Sequence, residues 1–180
     1  MECSWACLLA PPYRTSPSLY TVIAPVPFAR YALHMIEISI LDEATHQGFE
    51  DIKVLLSQLR SDRVSTYKEP QYIQMEEFVS NTNSVAVVAK DGKKIVGMAL
   101  LFILARVGEI SGAVEDVVVD DGYRGQGIAT RILEKLISIA KEKGLRQLNL
   151  TSRPSREAAN HLYKKLGFEK RDTNVYRLRF

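Results

Sequence analysis

Cysteine is almost missing from this chain. Only Cys3 and Cys7 occur in 180 residues, with no second Cys or His pair spaced to complete a zinc site and no partners for a disulfide framework. Both read as ordinary reduced thiols, and no metal is expected. Long hydrophobic runs are missing too. The greasiest stretch, Ile95 to Val107, carries Arg106 and falls well short of the roughly eighteen apolar residues that a membrane helix needs. No run of five basic residues occurs, and 24 Lys and Arg against 21 Asp and Glu leave a formal charge of only +3. Neither a membrane nor a nucleic acid is implied as a partner. What remains is an ordinary soluble composition, 46% hydrophobic and 25% charged, in a length that fits one domain.

Glycine is absent from residues 1–34, which instead hold five of the seven prolines, both cysteines and the only tryptophan. Proline removes a backbone donor and restricts the residue before it, so this segment sustains neither a helix nor an inner strand. It is expected to be a poorly ordered extension. A secretory signal fits badly, since the chain opens with Glu2 and the apolar patch from Trp5 to Ala10 is stopped by Pro11-Pro12. The expected location is cytoplasmic. Dense patterning begins at Met35, so the functional domain is expected to span 35–180.

Met35 to Leu41 opens with the alternation of a half-buried strand. Phe49, Ile52, Leu55, Leu56 and Leu59 recur at helical spacing, and Pro70 opens a second, shorter helix through Val79. Ser84–Ala89 and Ile95–Val107 form a hairpin through Asp91-Gly92, and Ala113–Val119 adds a third strand of the meander. A long helix from Ile128 ends at Gly144, a strand covers Gln147–Thr151, and Ala158 to Leu166 form a helix with Ser155 as N-cap. Phe168–Arg171 and Val175–Phe180 close the chain as strands. No internal repeat occurs.

The most informative stretch is Val117-Val118-Val119-Asp120-Asp121-Gly122-Tyr123-Arg124-Gly125-Gln126-Gly127-Ile128-Ala129-Thr130, in which a strand runs through a glycine-rich bend straight into a helix. The first helical turn has N–H groups without intrahelical partners, and the macrodipole adds positive character there. Gly125 and Gly127 let backbone approach an anion, and Arg124 supplies a planar fork of donors suited to phosphate oxygens. An ordinary glycine turn into a helix is the plainer alternative. No Gly-Lys-Ser or Gly-Lys-Thr follows, and the preceding strands form a meander, so a nucleotide-hydrolysing or dinucleotide-binding loop is not indicated.

Arg124-Gly125-Gln126-Gly127-Ile128-Ala129 resembles the pyrophosphate motif of the GNAT superfamily of acetyl-CoA-dependent N-acetyltransferases. A second stretch, Asn160-His161-Leu162-Tyr163-Lys164-Lys165-Leu166-Gly167-Phe168, is similar to that family's later motif, in which an Asn and a Tyr precede a Leu-Gly-Phe exit. The resemblance covers Met35 to Phe180. It implies an α/β (α+β) fold with a mixed, mostly antiparallel central sheet, about four flanking helices, and a splay between the fourth and fifth strands that holds acetyl-CoA.

The implied reaction is direct transfer of an acetyl group from acetyl-CoA, as cosubstrate, to a primary amine. Its chemical needs are a neutral amine, stabilisation of the developing oxyanion and a proton for the departing thiolate. By resemblance, Val117, Val118 and Val119 would offer backbone to the pantetheine arm, Arg124 to Thr130 would hold the pyrophosphate, and Asn160 would reach the pantetheine amides. Tyr163 is the candidate proton donor to the thiolate, against the plainer reading of a core aromatic. Glu115 is the candidate base or amine anchor, because strict alternation puts it on one face with Val117 and Val119; a structural ion pair is its plain rival. The expected partner is a small-molecule amine, and a homodimer is left open. The alternatives are a silent acyl-CoA-binding regulatory module and a protein N-terminal or lysine acetyltransferase.

Overall fold

A computed structural model of the chain describes residues 35–60 and 68–178, so the expectations for residues 1–34 lie outside the described residues. The elements run β1 (Glu37–Ile40), α1 (His46–Leu59), α2 (Tyr72–Ser80), β2 (Ser84–Asp91), β3 (Lys94–Arg106), β4 (Glu109–Val119), α3 (Ile128–Glu142), β5 (Leu148–Asn149) and α4 (Glu157–Lys165). The five strands form one sheet in chain order. β1 to β4 pair antiparallel, and β5 joins β4 in parallel. This is the mixed, mostly antiparallel sheet with four helices that the motifs imply.

Local chemistry sets the ends of the elements. Thr45 caps α1 by accepting from the Gly48 N–H at 3.1 Å, and the Gln71 N–H donates to Gln74 Oε1 at 2.9 Å to open α2. Gly92 takes φ +59 in the tight turn between β2 and β3, as the Asp-Gly pair requires. Alternation along the strands then feeds two cores. Ile132, Leu133 and Leu136 of α3 are fully buried against Val87, Val96, Leu101 and Val114 on one face of the sheet. Leu55 and Leu56 of α1 and Met75 of α2 pack on Val88, Met98 and Val118 of the other. Leu162, Tyr163 and Leu166 bring α4 onto the α3 face.

The feature that positions the site is a β-bulge in β4. Between Leu100↔Glu115 and Met98↔Val118, β3 advances two residues while β4 advances three. Asp116 absorbs the mismatch with φ +47, in the left-handed region that favours glycine. The extra residue shifts the alternation. Val114, Val117 and Val119 face the α3 core, while Glu115, opposite Leu100, shares the α1–α2 face with Val118. The expectation that Glu115 lies on one face with Val117 and Val119 is therefore corrected.

Beside the bulge the sheet opens. β5 pairs with β4 only at Gly112↔Leu148 and Ala113↔Asn149. A Cβ at Gly112 would stand 2.6 Å from Leu148 Cδ2 and 2.7 Å from Leu101 Cδ1, so glycine is what lets β5 approach there. Beyond Ala113 the two strands diverge, which is the implied splay between the fourth and fifth strands. Two other expectations fail here. β5 is two residues long, not five, and residues 168–178 form no strand, with Val175, Tyr176 and Leu178 exposed; the last two residues of the expected Val175–Phe180 strand lie outside the described residues. A period of two makes a strand only where an edge can pair with it, and β5, two residues long, offers almost none. Ser155 does not cap α4 either; Arg156 takes the N-cap position, without a side-chain cap bond.

Candidate active site

The loop after β4 is held from several sides. Asp120 Oδ1 accepts from the Gly122 N–H at 2.9 Å, closing a single 3-10 turn over Asp121–Tyr123. The Tyr123 hydroxyl donates to Asp91 Oδ2 at 2.7 Å, and this bond to a carboxylate raises the phenol above its usual range. Lys94 pairs with Asp120 at 3.6 Å and lies over the Tyr123 ring, 5.5 Å from its centroid. The β2–β3 turn thus clamps the start of the loop.

Past the clamp, Arg124 Nε donates to the Val119 carbonyl at 3.3 Å, and its guanidinium pairs with Asp121. Gly125 and Gly127 take φ +77 and +74, and a Cβ on either would meet nothing within 4 Å. The backbone is therefore bare on the outside of the bend. Ile128 is 2% exposed and anchors the first turn of α3 in the core, while Gln126 is exposed and Ala129 and Thr130 are half-buried. Left-handed glycines, first-turn N–H groups and one guanidinium make a donor set that fits a diphosphate. That is the part of acetyl-CoA which Arg124 to Thr130 would hold.

The splay forms a cavity of about 120 Å³ whose lining includes Glu115, Asp116, Val117, Leu150, Thr151 and Tyr163. The two candidate proton carriers, Glu115 and Tyr163, are brought together there. Of the three valines, only Val117 lines the cavity; the side chains of Val118 and Val119 are buried in the two cores, so they have only backbone to offer. Tyr163 packs edge-on against Phe168 at 6.0 Å, and burial raises its phenol, with Arg156 opposing. The hydroxyl is thereby kept protonated. Burial also raises the Glu115 carboxyl; Asp116 adds to this and Arg177 opposes it. A raised carboxylate is a better proton acceptor near neutral pH.

Asn160 stands outside the cavity lining. Its Nδ2 donates to the Arg153 carbonyl at 2.8 Å and fixes the turn that leads into α4. Beside Thr151, the Ser152 hydroxyl is buried with no hydrogen-bond partner among the described residues. Motif reading misses Arg60, Leu150 and Arg177, which complete the cavity. Arg60 at the end of α1 meets Asp116 Oδ2 at 3.2 Å, and Arg156 Nη2 donates to the Leu59 carbonyl at 3.0 Å. These contacts tie α1 to both walls of the splay. No group of three His, Cys, Asp or Glu side chains able to hold a metal occurs among the described residues.

The splayed mixed sheet and the glycine-rich bend beside the gap agree with the acyltransferase class that the two motifs resemble. Residues 52–168 match the model of the Acetyltransferase (GNAT) family, and the chain belongs to it. It is 34% identical over 140 residues to an L-2,4-diaminobutyric acid acetyltransferase of Marinococcus halophilus, covering 78% of this chain and 77% of that protein. It is 33% identical over 141 residues to a probable glucosamine 6-phosphate N-acetyltransferase 2 of Oryza sativa subsp. japonica, covering 74% and 81%. Among solved structures, a transcriptional regulator from Bacillus halodurans C-125 matches with a TM-score of 0.67 at 26% identity, covering 80% of this chain and all of that one. The chain is an N-acetyltransferase of a family that uses acetyl-CoA.

Proposed function

We propose that the chain acetylates the primary amine of a small molecule, with Glu115 as proton acceptor and Tyr163 as proton donor. The observation that carries this reading is the meeting of both side chains at one small cavity in the splay. Acetyl-CoA supplies the activated thioester when bound. Glu115 takes a proton from the incoming ammonium, through water, so that the nitrogen attacks as a neutral amine. The C–N bond forms, the C–S bond breaks, the Tyr163 hydroxyl gives its proton to the departing sulfur, and the second proton shed by the acylated nitrogen passes back to the phenolate. The raised pKa of each group favours the protonation state it needs: the phenol stays protonated, and the carboxylate gains basicity.

The bulge supports this arrangement physically. It turns Glu115 away from the face of Val117, and both residues line the cavity together with Tyr163. The similarity to acetyltransferases of diaminobutyric acid and glucosamine 6-phosphate points to a small acceptor. The test is incubation with acetyl-CoA and a panel of primary amines, following free thiol and N-acetyl product together. Product formation that Tyr163→Phe and Glu115→Gln each suppress supports the reading. Tight acetyl-CoA binding with no product from any amine would establish a silent binding module instead.

A further inference from the structure

The cavity carries more charge than transfer to a plain amine requires. Glu115 and Asp116 come from β4, Arg60 from the end of α1, Arg156 from the start of α4, and Arg177 from the C-terminal segment. Two of the three guanidiniums are engaged by the protein. Arg60 meets Asp116, and Arg156 donates to the Leu59 carbonyl. Arg177 is different. It is exposed, and it acts on Glu115 through its charge without an ion-pair contact among the described residues. A carboxylate and a guanidinium that share a cavity mouth without closing on each other suit a ligand that carries both charges.

We propose that the acceptor is a primary amine that also bears an acid group, carboxylate or phosphate, with its amine at Glu115 and its acid at Arg177. This rests on the amine-acceptor reading given above. Three guanidiniums and two carboxylates leave the mouth with one net positive charge, which repels a purely cationic amine. An amine that brings its own acid group removes that repulsion and gains a forked, charge-assisted contact from Arg177. Carboxylate and phosphate both present paired oxygens to such a fork, so the shared chemistry is an oxyanion on the acceptor itself.

Matched pairs of amines test this with the full chain and saturating acetyl-CoA. L-2,4-Diaminobutyrate against 1,3-diaminopropane gives the carboxylate arm, and glucosamine 6-phosphate against glucosamine gives the phosphate arm. In at least one arm the acid-bearing member is expected to have the higher kcat/KM by about tenfold or more, the size of one charge-assisted contact. The arm with the larger ratio identifies the acid. Arg177→Gln should collapse that ratio through KM for the acid-bearing member, and Arg177→Lys should restore part of it. Equal kcat/KM within both pairs, or a ratio that Arg177→Gln leaves unchanged, overturns the inference while the N-acetyltransferase reading stands. If no member of either pair is acetylated while another amine of the panel is, this inference falls and the amine-acceptor reading stands; if no amine of the panel is acetylated and no thiol is released, both fall.

Discussion

The two sides of the splay are built in opposite ways. The side we propose for the diphosphate is one contiguous segment, Asp120 to Thr130, clamped by Asp91 and Lys94 and pinned in the core by Ile128. The proposed acceptor side is assembled from Arg60, Glu115, Tyr163 and Arg177, residues scattered along the chain, of which Arg60 is held by a half-exposed ion pair with Asp116 and Tyr163 by packing against Phe168. A ligand with fixed chemistry is met by a local motif of backbone donors. A ligand whose identity varies is met by side chains that a few substitutions can exchange without disturbing the sheet. The comparison predicts that changes on the first side act on KM for acetyl-CoA, and changes on the second on kcat or on KM for the amine.

The largest effect should come from Tyr163→Phe. It keeps the edge contact with Phe168 and removes only the hydroxyl, so kcat should fall roughly thousandfold, within the range of general acid catalysis, at unchanged KM for acetyl-CoA. Steady-state kinetics with a single amine checks this. A fall confined to KM for acetyl-CoA would move Tyr163 to the other side of the comparison.

Glu115→Gln comes next, at about a hundredfold in kcat, since water can replace part of a proton acceptor's work. The pH profile decides its role. The carboxyl is raised, so wild-type kcat/KM should climb as pH rises through that raised value, where the base loses its proton. Glutamine should remove this limb and cost most above it; an equal loss at every pH would leave Glu115 only a positioning role. Stability carries the opposite sign. A folded pKa above the unfolded one lowers stability as pH rises through the window between them, so Glu115→Gln should be relatively more stable above that window and equal to wild type below it. Thermal melts at acid and neutral pH measure this.

How much of this was legible in the sequence follows the same division. The bend was readable because its requirements are local: Gly125 and Gly127 do take positive φ, and α3 starts at Ile128. The β2–β3 turn, α3 and α4 were readable for the same reason, since each is written in adjacent residues. The bulge was not. Glu115-Asp116-Val117-Val118-Val119 reads as an unbroken strand, and the extra residue exists only in the register against β3. Counting by twos across it therefore put Glu115 on the wrong face. Arg60 and Arg177 left no trace, because no period links them to Glu115 and only tertiary packing brings them to one cavity. The final strands failed for the converse reason. Their alternation is real, but a ladder is a property of two segments, and β5 supplies too short an edge.

Two smaller predictions probe the diphosphate side. Gly127→Val puts a branched side chain at φ +74 and covers bare backbone, so KM for acetyl-CoA should rise about thirtyfold, equivalent to about 2 kcal/mol of lost anion contacts, with kcat largely kept. Left-handed strain of about 1–2 kcal/mol should lower the melting temperature as well. A drop in kcat alone would show that the bend serves the acceptor side.

The smallest effect belongs to Tyr123→Phe. The ring and its contact with Lys94 remain, and only the bond to Asp91 is lost. That bond lies between the β2–β3 turn and the loop, and neither of its residues lines the cavity that holds Glu115 and Tyr163. Its loss of about 1 kcal/mol should appear as a few-fold higher KM for acetyl-CoA, because the loop starts from a looser position, while kcat and KM for the amine stay as they are. If the clamp only stabilised the fold, the melting temperature would drop with no change in KM. The two outcomes separate a loop that is merely attached from one held ready for its anion, and only the second makes the diphosphate side a preorganised half of the site.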